Sequence, residues 1–293
     1  MTGPIRKVLI ANRGEIAVRV IRACREMGIR SAVLYSEPDR LGLPVLLADE
    51  AWPIGPAPSR ESYLKTEAIV RLAVEIGADA VHPGYGFLSE RAEFSRLCRE
   101  AGVTFIGPSP ESIEAMGSKV ESRRLMMDAG VPVVPGGRDP LPDLESAQAA
   151  AATIGYPVML KAASGGGGKG MRRIDSAAEF ASSYRAARSE AGASFGDDSV
   201  YLEKYIVEPR HVEIQVMGDL HGRVVSLGER ECSLQRRHQK VVEEAPSPLF
   251  AGGANQGVHA TLLDAAVKAA RAFGYANAGT VEFLYSDGAV YFI

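Results

Sequence analysis

The sequence has little cysteine: Cys24, Cys98 and Cys232, odd in number and widely spaced. That excludes a disulfide framework and offers no paired-ligand spacing for zinc. Cys24 and Cys98 fall in helical patterns and read as small core residues. No apolar run approaches the ~20 residues that span a bilayer, and the chain passes from Lys7 straight into a strand pattern without a signal-peptide core. A cytoplasmic protein without membrane contact is expected. Neither charge is in excess, since 33 basic against 36 acidic residues leave −3, so nothing draws the chain to nucleic acid or anionic lipid. What is there, 293 residues with 46% hydrophobic and 24% charged, is a globular chain with length for roughly two domains.

The first third alternates strand and helix. Residues 7–11 form a strand pattern, 16–27 an amphipathic helix, 31–35 a strand, 63–76 a helix, 80–82 a strand, 91–101 a helix and 104–106 a strand. This spacing predicts a parallel, doubly wound sheet. Two turns, Asn12-Arg13-Gly14 and His82-Pro83-Gly84-Tyr85-Gly86-Phe87, follow strand carboxyl ends, where such sheets place ligands; equally, their glycines make tight turns. Residues 107–110 end this unit, and helices over 110–116 and 119–129 follow. Lys119, after Gly117-Ser118, sits at a helix start where N–H groups and an ammonium can share an anion, or is simply a solvated lysine. A connector rich in proline and glycine (132–142) leads into a helix over 143–154.

Residues 158–160 read as a strand delivering Lys161, and 171–174 as the strand that returns. Between them lie five glycines within residues 165–170, with Lys169 and Arg172 beside them. Such a run is either a flexible linker or a phosphate cradle, in which the missing Cβ atoms let successive N–H groups face phosphate oxygens. The bracketing basic residues favour the cradle. It is no Walker loop, because Gly170 rather than Ser or Thr follows Lys169, and no dinucleotide fingerprint, because no helix begins after it. A helix over 176–190 and a strand over 200–206 complete a small α+β lid around this loop.

Alternation over 211–218 and a strand over 223–227 begin an antiparallel sheet. The densest polar stretch, residues 229–246, has no helical regularity and carries Arg236, Arg237, His238 and Lys240 between acidic flanks. It is a solvated face or the lining of an anion-binding cleft, where excluding water would raise a lysine–phosphate contact from ~1 to ~4 kcal/mol. A helix over 257–273 leads to strands over 280–284 and 290–293, in which Glu282 alternates with apolar neighbours as a metal-binding carboxylate facing a cleft would.

Several motifs together resemble biotin carboxylase, the ATP-grasp component of biotin-dependent carboxylases. They are Ile10-Ala11-Asn12-Arg13-Gly14-Glu15-Ile16-Ala17, His82-Pro83-Gly84-Tyr85-Gly86-Phe87-Leu88-Ser89-Glu90, the glycine run, Glu203-Lys204-Tyr205, Pro209-Arg210-His211-Val212-Glu213 and Gln235-Arg236-Arg237-His238-Gln239-Lys240. The resemblance runs from Lys7 to Ile293. It implies an α/β and α+β fold: a Rossmann-like N-terminal domain (1–107), a helical linker (108–134), an ATP-grasp lid (135–205) and the start of a second ATP-grasp subdomain (206–293).

It implies a ligase that carboxylates biotin through carboxyphosphate, with ATP, Mg2+ or Mn2+, bicarbonate and carrier-borne biotin. Lys119 and Lys161 then resemble nucleotide-phosphate ligands, Gly167 and Gly168 the flap tip, and Glu203, Lys204, Tyr205 and Ile206 the adenine-contacting strand and hinge. His211 and His238 resemble further nucleotide contacts, Lys240 the residue facing bicarbonate and the transferred phosphoryl group, and Glu282 a metal carboxylate; the catalytic pair is Lys240 and His238. Expected partners are a biotin carboxyl carrier protein or domain, a second copy in a homodimer and a carboxyltransferase subunit, within an acetyl- or acyl-CoA carboxylase of fatty acid synthesis. The acceptor stays open among acetyl-CoA, propionyl-CoA, methylcrotonoyl-CoA and pyruvate.

In the family the last strand continues into Glu-Met-Asn, an arginine and the glutamate base, all beyond Ile293, so a chain ending there is expected to be catalytically incomplete and to expose an apolar sheet edge. The alternatives are a nucleotide-binding or dimerising module without turnover, and another ATP-grasp ligase, which would share the flap but not the block over 235–240.

Overall fold

The computed structural model describes residues 3–137, 139–163, 170–236 and 239–293, the side chain of Lys119 excepted. The chain forms two compact units that divide between Glu114 and Ala115.

In the first unit the elements run β1 (Lys7–Ile10), α1 (Gly14–Glu26), β2 (Arg30–Ser36), α2 (Leu43–Leu47), β3 (Glu50–Gly55), α3 (Thr66–Glu75), β4 (Ala80–His82), α4 (Ala92–Glu100) and β5 (Thr104–Phe105). The sheet is parallel throughout, in the order β3-β2-β1-β4-β5. The strands carry apolar residues on both faces because helices cover both, and Cys24 and Cys98 are buried in the two layers so formed. The edge strand β3 and the short α2 lie outside the sequence expectation. Proline in a strand weakens the pattern, and Pro53 is tolerated here because β3 is an edge.

The two turns with an open ligand reading are tied to each other. Asn12, 3% exposed, donates from Nδ2 to the carbonyls of Pro83 (2.7 Å) and Tyr85 (2.8 Å). Gly84 has φ 67°, and a Cβ there would lie 2.6 Å from Asn12 Nδ2.

The second unit opens with α5 (Pro110–Gly117), which begins before the division, and α6 (Lys119–Asp128). Then come α7 (Leu144–Ile154), β6 (Val158–Ala162), β7 (Met171–Ile174), α8 (Ala177–Phe195) and β8 (Val200–Lys204). Helix starts follow their capping residues: Ser118 accepts from Glu121 N, Asp143 from Ser146 N, and Ser176 forms a capping box with Glu179. β7-β6-β8 is a three-stranded antiparallel sheet whose apolar face packs under α7 and α8, which is the expected lid. The glycines at 165–168 and Lys169 lie outside the described residues.

A five-stranded sheet, β11-β10-β9-β12-β13, follows from β9 (Arg210–Gly218), β10 (Val224–Arg236), β11 (Gln239–Glu244), β12 (Asn277–Ser286) and β13 (Ala289–Phe292), with α9 (Gln256–Ala272) across one face. The polar block is therefore a continuation of the second strand rather than a separate surface: β10 runs on past Leu227 to Arg236. A register slip between Ser226 and Glu229, eased by Gly228 at φ 104°, hid that continuity. Nor is the block only a solvated face, since Glu229 and Glu231 are 9% and 6% exposed and bond His259 and Ser247. The outer edge of β13 is not left bare at its end: the connector lies along it, with Phe292 N donating to Pro132 O at 2.8 Å and Phe292 bridging Val133. Among the described residues, no helix is long and apolar enough to cross a membrane.

Gly84→Ala is expected to destabilise the protein by about 2 kcal/mol, because the new methyl needs a left-handed backbone and displaces a buried, doubly bonded amide. Urea unfolding measures it, and an unchanged midpoint would contradict the clamp.

Candidate functional site

Strand period sets the chemistry of the second unit. In β9, Val212, Ile214 and Val216 enter the core beneath α9, so Glu213 and Gln215 face the other way. The register places Glu282 of β12 opposite Glu213, and Thr280 opposite Gln215. In the lid sheet, Val158, Leu160 and Leu202 enter the core, so Met159, Lys161, Tyr201 and Glu203 share the opposite face. Lys161 stands across from Tyr201, with Glu203 one diagonal step away.

Two cavities, of about 510 and 460 Å³, both border Lys161, Glu203 and Glu282 and so form one cleft between these sheets. That volume lies in the range of small-ligand sites. Lys204, Tyr205, Ile206 and His211 line the second.

Buried carboxylates hold the cations on both walls. Glu203, 6% exposed, accepts from Arg123 Nη1 at 2.9 Å and pairs with Lys161 Nζ at 2.5 Å. Glu213, 3% exposed, is bonded by Arg230 and by Lys240, and Lys240 also bonds Glu282. Burial opposes the Lys240 charge, but its bonds to Glu213 and Glu282 outweigh that and hold its pKa above the ordinary lysine value. Burial likewise works to raise the Glu213 pKa, and the bonds from Lys240 and Arg230 prevail, leaving it below the ordinary carboxyl value.

His211 is the one described residue with a buried side-chain polar atom, Nε2, left without a hydrogen-bond partner. Burial lowers its pKa, with Glu282 acting upward and Lys240 downward, so the ring is neutral near pH 7. Gln235 Nε2 lies 2.8 Å from Nδ1 and can only donate, so on this amide orientation the ring proton sits on Nε2. An unpartnered N–H at the wall of a cleft suits an oxygen acceptor. Glu282 Oε2 is 3.7 Å from it.

The structure thus brings together Lys161, Glu203, Lys204, Tyr205, Ile206, His211 and Glu282, with Lys240 behind Glu282. The Lys204 ammonium is turned onto the carbonyls of Gly155 and Tyr156 at 2.9 and 3.0 Å, and Arg173 lies 4.4 Å over the Tyr205 ring. Lys119 begins α6 as expected, with its side chain outside the description; Gly167, Gly168 and His238 lie outside the described residues. Arg123, Arg230 and the anchoring part of Glu213 carry no role in the sequence reading. For Arg123 the signal was its spacing, three residues before the buried Met126 on one helical face.

A carboxyl held below its unfolded pKa adds stability above that unfolded value and loses it as pH falls through the folded one. Glu213→Gln is therefore expected to destabilise by about 3 kcal/mol near pH 7, with the gap to wild type closing below about pH 4.5. Urea midpoints across pH 3–8 test this, and a gap independent of pH would contradict it.

Comparison with known proteins agrees with this architecture. The family described as carbamoyl-phosphate synthase L chain, ATP binding domain, matches residues 118–293, and that described as biotin carboxylase, N-terminal domain, matches residues 4–113. The chain is 51% identical to the biotin carboxylase of Pseudomonas aeruginosa over 290 residues, 99% of this chain and 64% of that protein. It is 52% identical to biotin carboxylase 1 of Bacillus subtilis over 281 residues, 96% of this chain and 62% of that one. Among solved structures, Campylobacter jejuni biotin carboxylase in a β,γ-ATP complex superposes with TM-score 0.91 at 47% identity, covering 99% of this chain and 64% of that chain. The biotin carboxylase domain dimer of Hydrogenobacter thermophilus 2-oxoglutarate carboxylase, in complex with MgADP, ADP and bicarbonate, gives 0.88 at 50%, covering 99% and 63%. The chain spans less than two thirds of the length of these relatives. With an N-terminal domain of one description joined to an ATP-binding domain of the other in this order, the chain belongs to the biotin carboxylase family.

Proposed function

We propose that the chain is the nucleotide-binding part of a biotin carboxylase, which uses ATP and bicarbonate to carboxylate biotin on a carrier protein or domain. The observation that carries this is the single cleft bordered by Lys161 and by Glu282, with Lys240 bonded behind Glu282 and each lysine set by a buried glutamate. Relatives at about half identity include structures solved with MgADP and bicarbonate and in a β,γ-ATP complex.

In this reading a bicarbonate oxygen attacks the γ-phosphorus, the bond to the β,γ-bridging oxygen breaks and ADP leaves. The carboxyphosphate then yields phosphate and CO2, and biotin N1′ takes up the CO2 as its proton passes to the released phosphate. Such transfer is chiefly positioning and charge neutralisation. Lys161, with Lys119 at the α6 N-terminus and the backbone at Gly167 and Gly168, holds phosphate. Glu203, Lys204, Tyr205 and Ile206 border the base, and the neutral His211 offers Nε2–H to a nucleotide oxygen, with His238 as a further contact. Lys240 stays charged and faces bicarbonate and the transferred phosphoryl group.

Glu282 fits a hard cation: it borders both cavities, and Mg2+ or Mn2+ is bound by one or two carboxylates together with substrate phosphates. When bound, the metal neutralises charge on the phosphates. On this reading the chain divides at 107, 134 and 205 into N-terminal domain, linker, lid and second subdomain. It works in the cytoplasm, as a homodimer, with a carrier and a carboxyltransferase, and within an acyl-CoA carboxylase.

The full-length protein is expected to hydrolyse ATP only with bicarbonate present, with stimulation by free biotin; hydrolysis indifferent to bicarbonate would refute the reading. Gly167→Val combined with Gly168→Val is expected to lower kcat at least about tenfold while leaving the urea midpoint nearly unchanged. Unaltered kinetics would return the glycine run to the role of a linker.

A further inference from the structure

We propose that Arg123 is a positioning residue for the nucleotide phosphates: by sharing the Glu203 carboxylate it leaves a surplus positive charge on Lys161, at the cleft wall. The inference rests on the phosphate-binding reading of Lys161 given above.

Arg123 is 6% exposed, and three of its groups are committed. Nη1 donates to Glu203 Oε1 at 2.9 Å, Nε to the Gly137 carbonyl at 2.9 Å and Nη2 to the Val134 carbonyl at 2.5 Å. The remaining Glu203 oxygen meets Lys161 Nζ at 2.5 Å. A lone Lys161–Glu203 pair would be neutral and would give an incoming polyphosphate little reason to separate it. With Arg123 the triad carries one net positive charge. Arg123 is 7% exposed at its side chain, reaches only the first cavity and has Nε, Nη1 and Nη2 committed, whereas the Lys161 side chain is 19% exposed and borders both cavities, so the surplus is presented there.

A role as a brace alone does not account for this side chain. The connector and β8 are already joined by backbone bonds, Gly137 N to Leu202 O at 3.1 Å and Lys204 N to Pro135 O at 2.7 Å, with Gly136 bridging Glu203. Besides its two bonds to the Gly137 and Val134 carbonyls, what Arg123 adds is charge on Glu203. A buried carboxylate with two cationic partners keeps one of them when the other turns to a ligand, so Lys161 can move to phosphate without stranding Glu203.

The test compares MgATP with AMP on the full-length protein by calorimetric titration. Arg123→Gln is expected to weaken MgATP binding about tenfold and AMP binding less than about threefold. In a Glu203→Gln background, Arg123→Gln is expected to leave the ATP-to-AMP ratio where Glu203→Gln alone puts it. Arg123→Lys keeps the charge but cannot span the carboxylate and two carbonyls, so it is expected to lower Tm while preserving the ratio.

A readout that needs no nucleotide is the binding of inorganic tripolyphosphate, which is expected to weaken about tenfold in Arg123→Gln and to be kept in Arg123→Lys. Equal losses for ATP and AMP, an effect that persists without the Glu203 carboxylate, a ratio lost in Arg123→Lys, or unmoved tripolyphosphate binding in Arg123→Gln would each overturn the proposal. If Arg123→Gln does not fold, Arg123→Lys decides by its ratio. Absence of ATP binding in the wild type would instead refute the functional reading, and tripolyphosphate binding would still decide this one.

Discussion

A glutamate buried in a sheet and shared by two cations recurs on both walls of the cleft, and the site depends on it. Glu203 joins Arg123 to Lys161, and Glu213 joins Arg230 to Lys240. A carboxylate out of water is costly unless paired and hydrogen-bonded. Each of these two is saturated, and in each case the arginine partner is bound elsewhere as well: Arg123 to two backbone carbonyls, Arg230 to Gln215 Oε1. Lys161 is the partner that can leave, whereas Lys240 is held by Glu282 as well. On the proposed function, a cation that can turn to phosphate while a fixed one stays on the carboxylate suits a site that takes up and releases phosphate.

Strand alternation produces this arrangement. The residues that build the cores, Val212, Ile214 and Val216 in one sheet and Val158, Leu160 and Leu202 in the other, oblige their neighbours to face the cleft. A shift of one residue in either register would bury the lysines and expose the core, so packing energy enforces the chemistry. The first unit follows a different rule: there both faces of the parallel sheet are covered, and polar specificity is confined to its turns, where Asn12 holds the turn containing Gly84.

Alternating strand and helix patterns in the first third, and the lid around the glycine run, could be read directly because their elements have an unambiguous period. β3 could not, because Pro53 interrupts a short edge strand. The polar stretch after Leu227 reads from sequence as a charged surface or an anion cleft. In the fold it supplies both a buried network through Glu229 and Glu231 and the cleft-side Lys240, a division made by register slips that leave no mark on composition. Family motifs pointed to Lys161, His211, Lys240 and Glu282, which touch the cleft or its edge. They did not point to Arg123, which acts through another residue and is separated from Glu203 by 80 positions.

The most direct measurement is a crystal structure of the full-length protein with MgADP and bicarbonate. In that structure Lys161 Nζ is expected to have left Glu203 for a phosphate oxygen while Arg123 stays bonded to Glu203, with His211 Nε2 donating to the nucleotide. Phosphates bound with Lys161 still paired to Glu203, or nucleotide seated away from the cleft between these two sheets, would contradict this expectation.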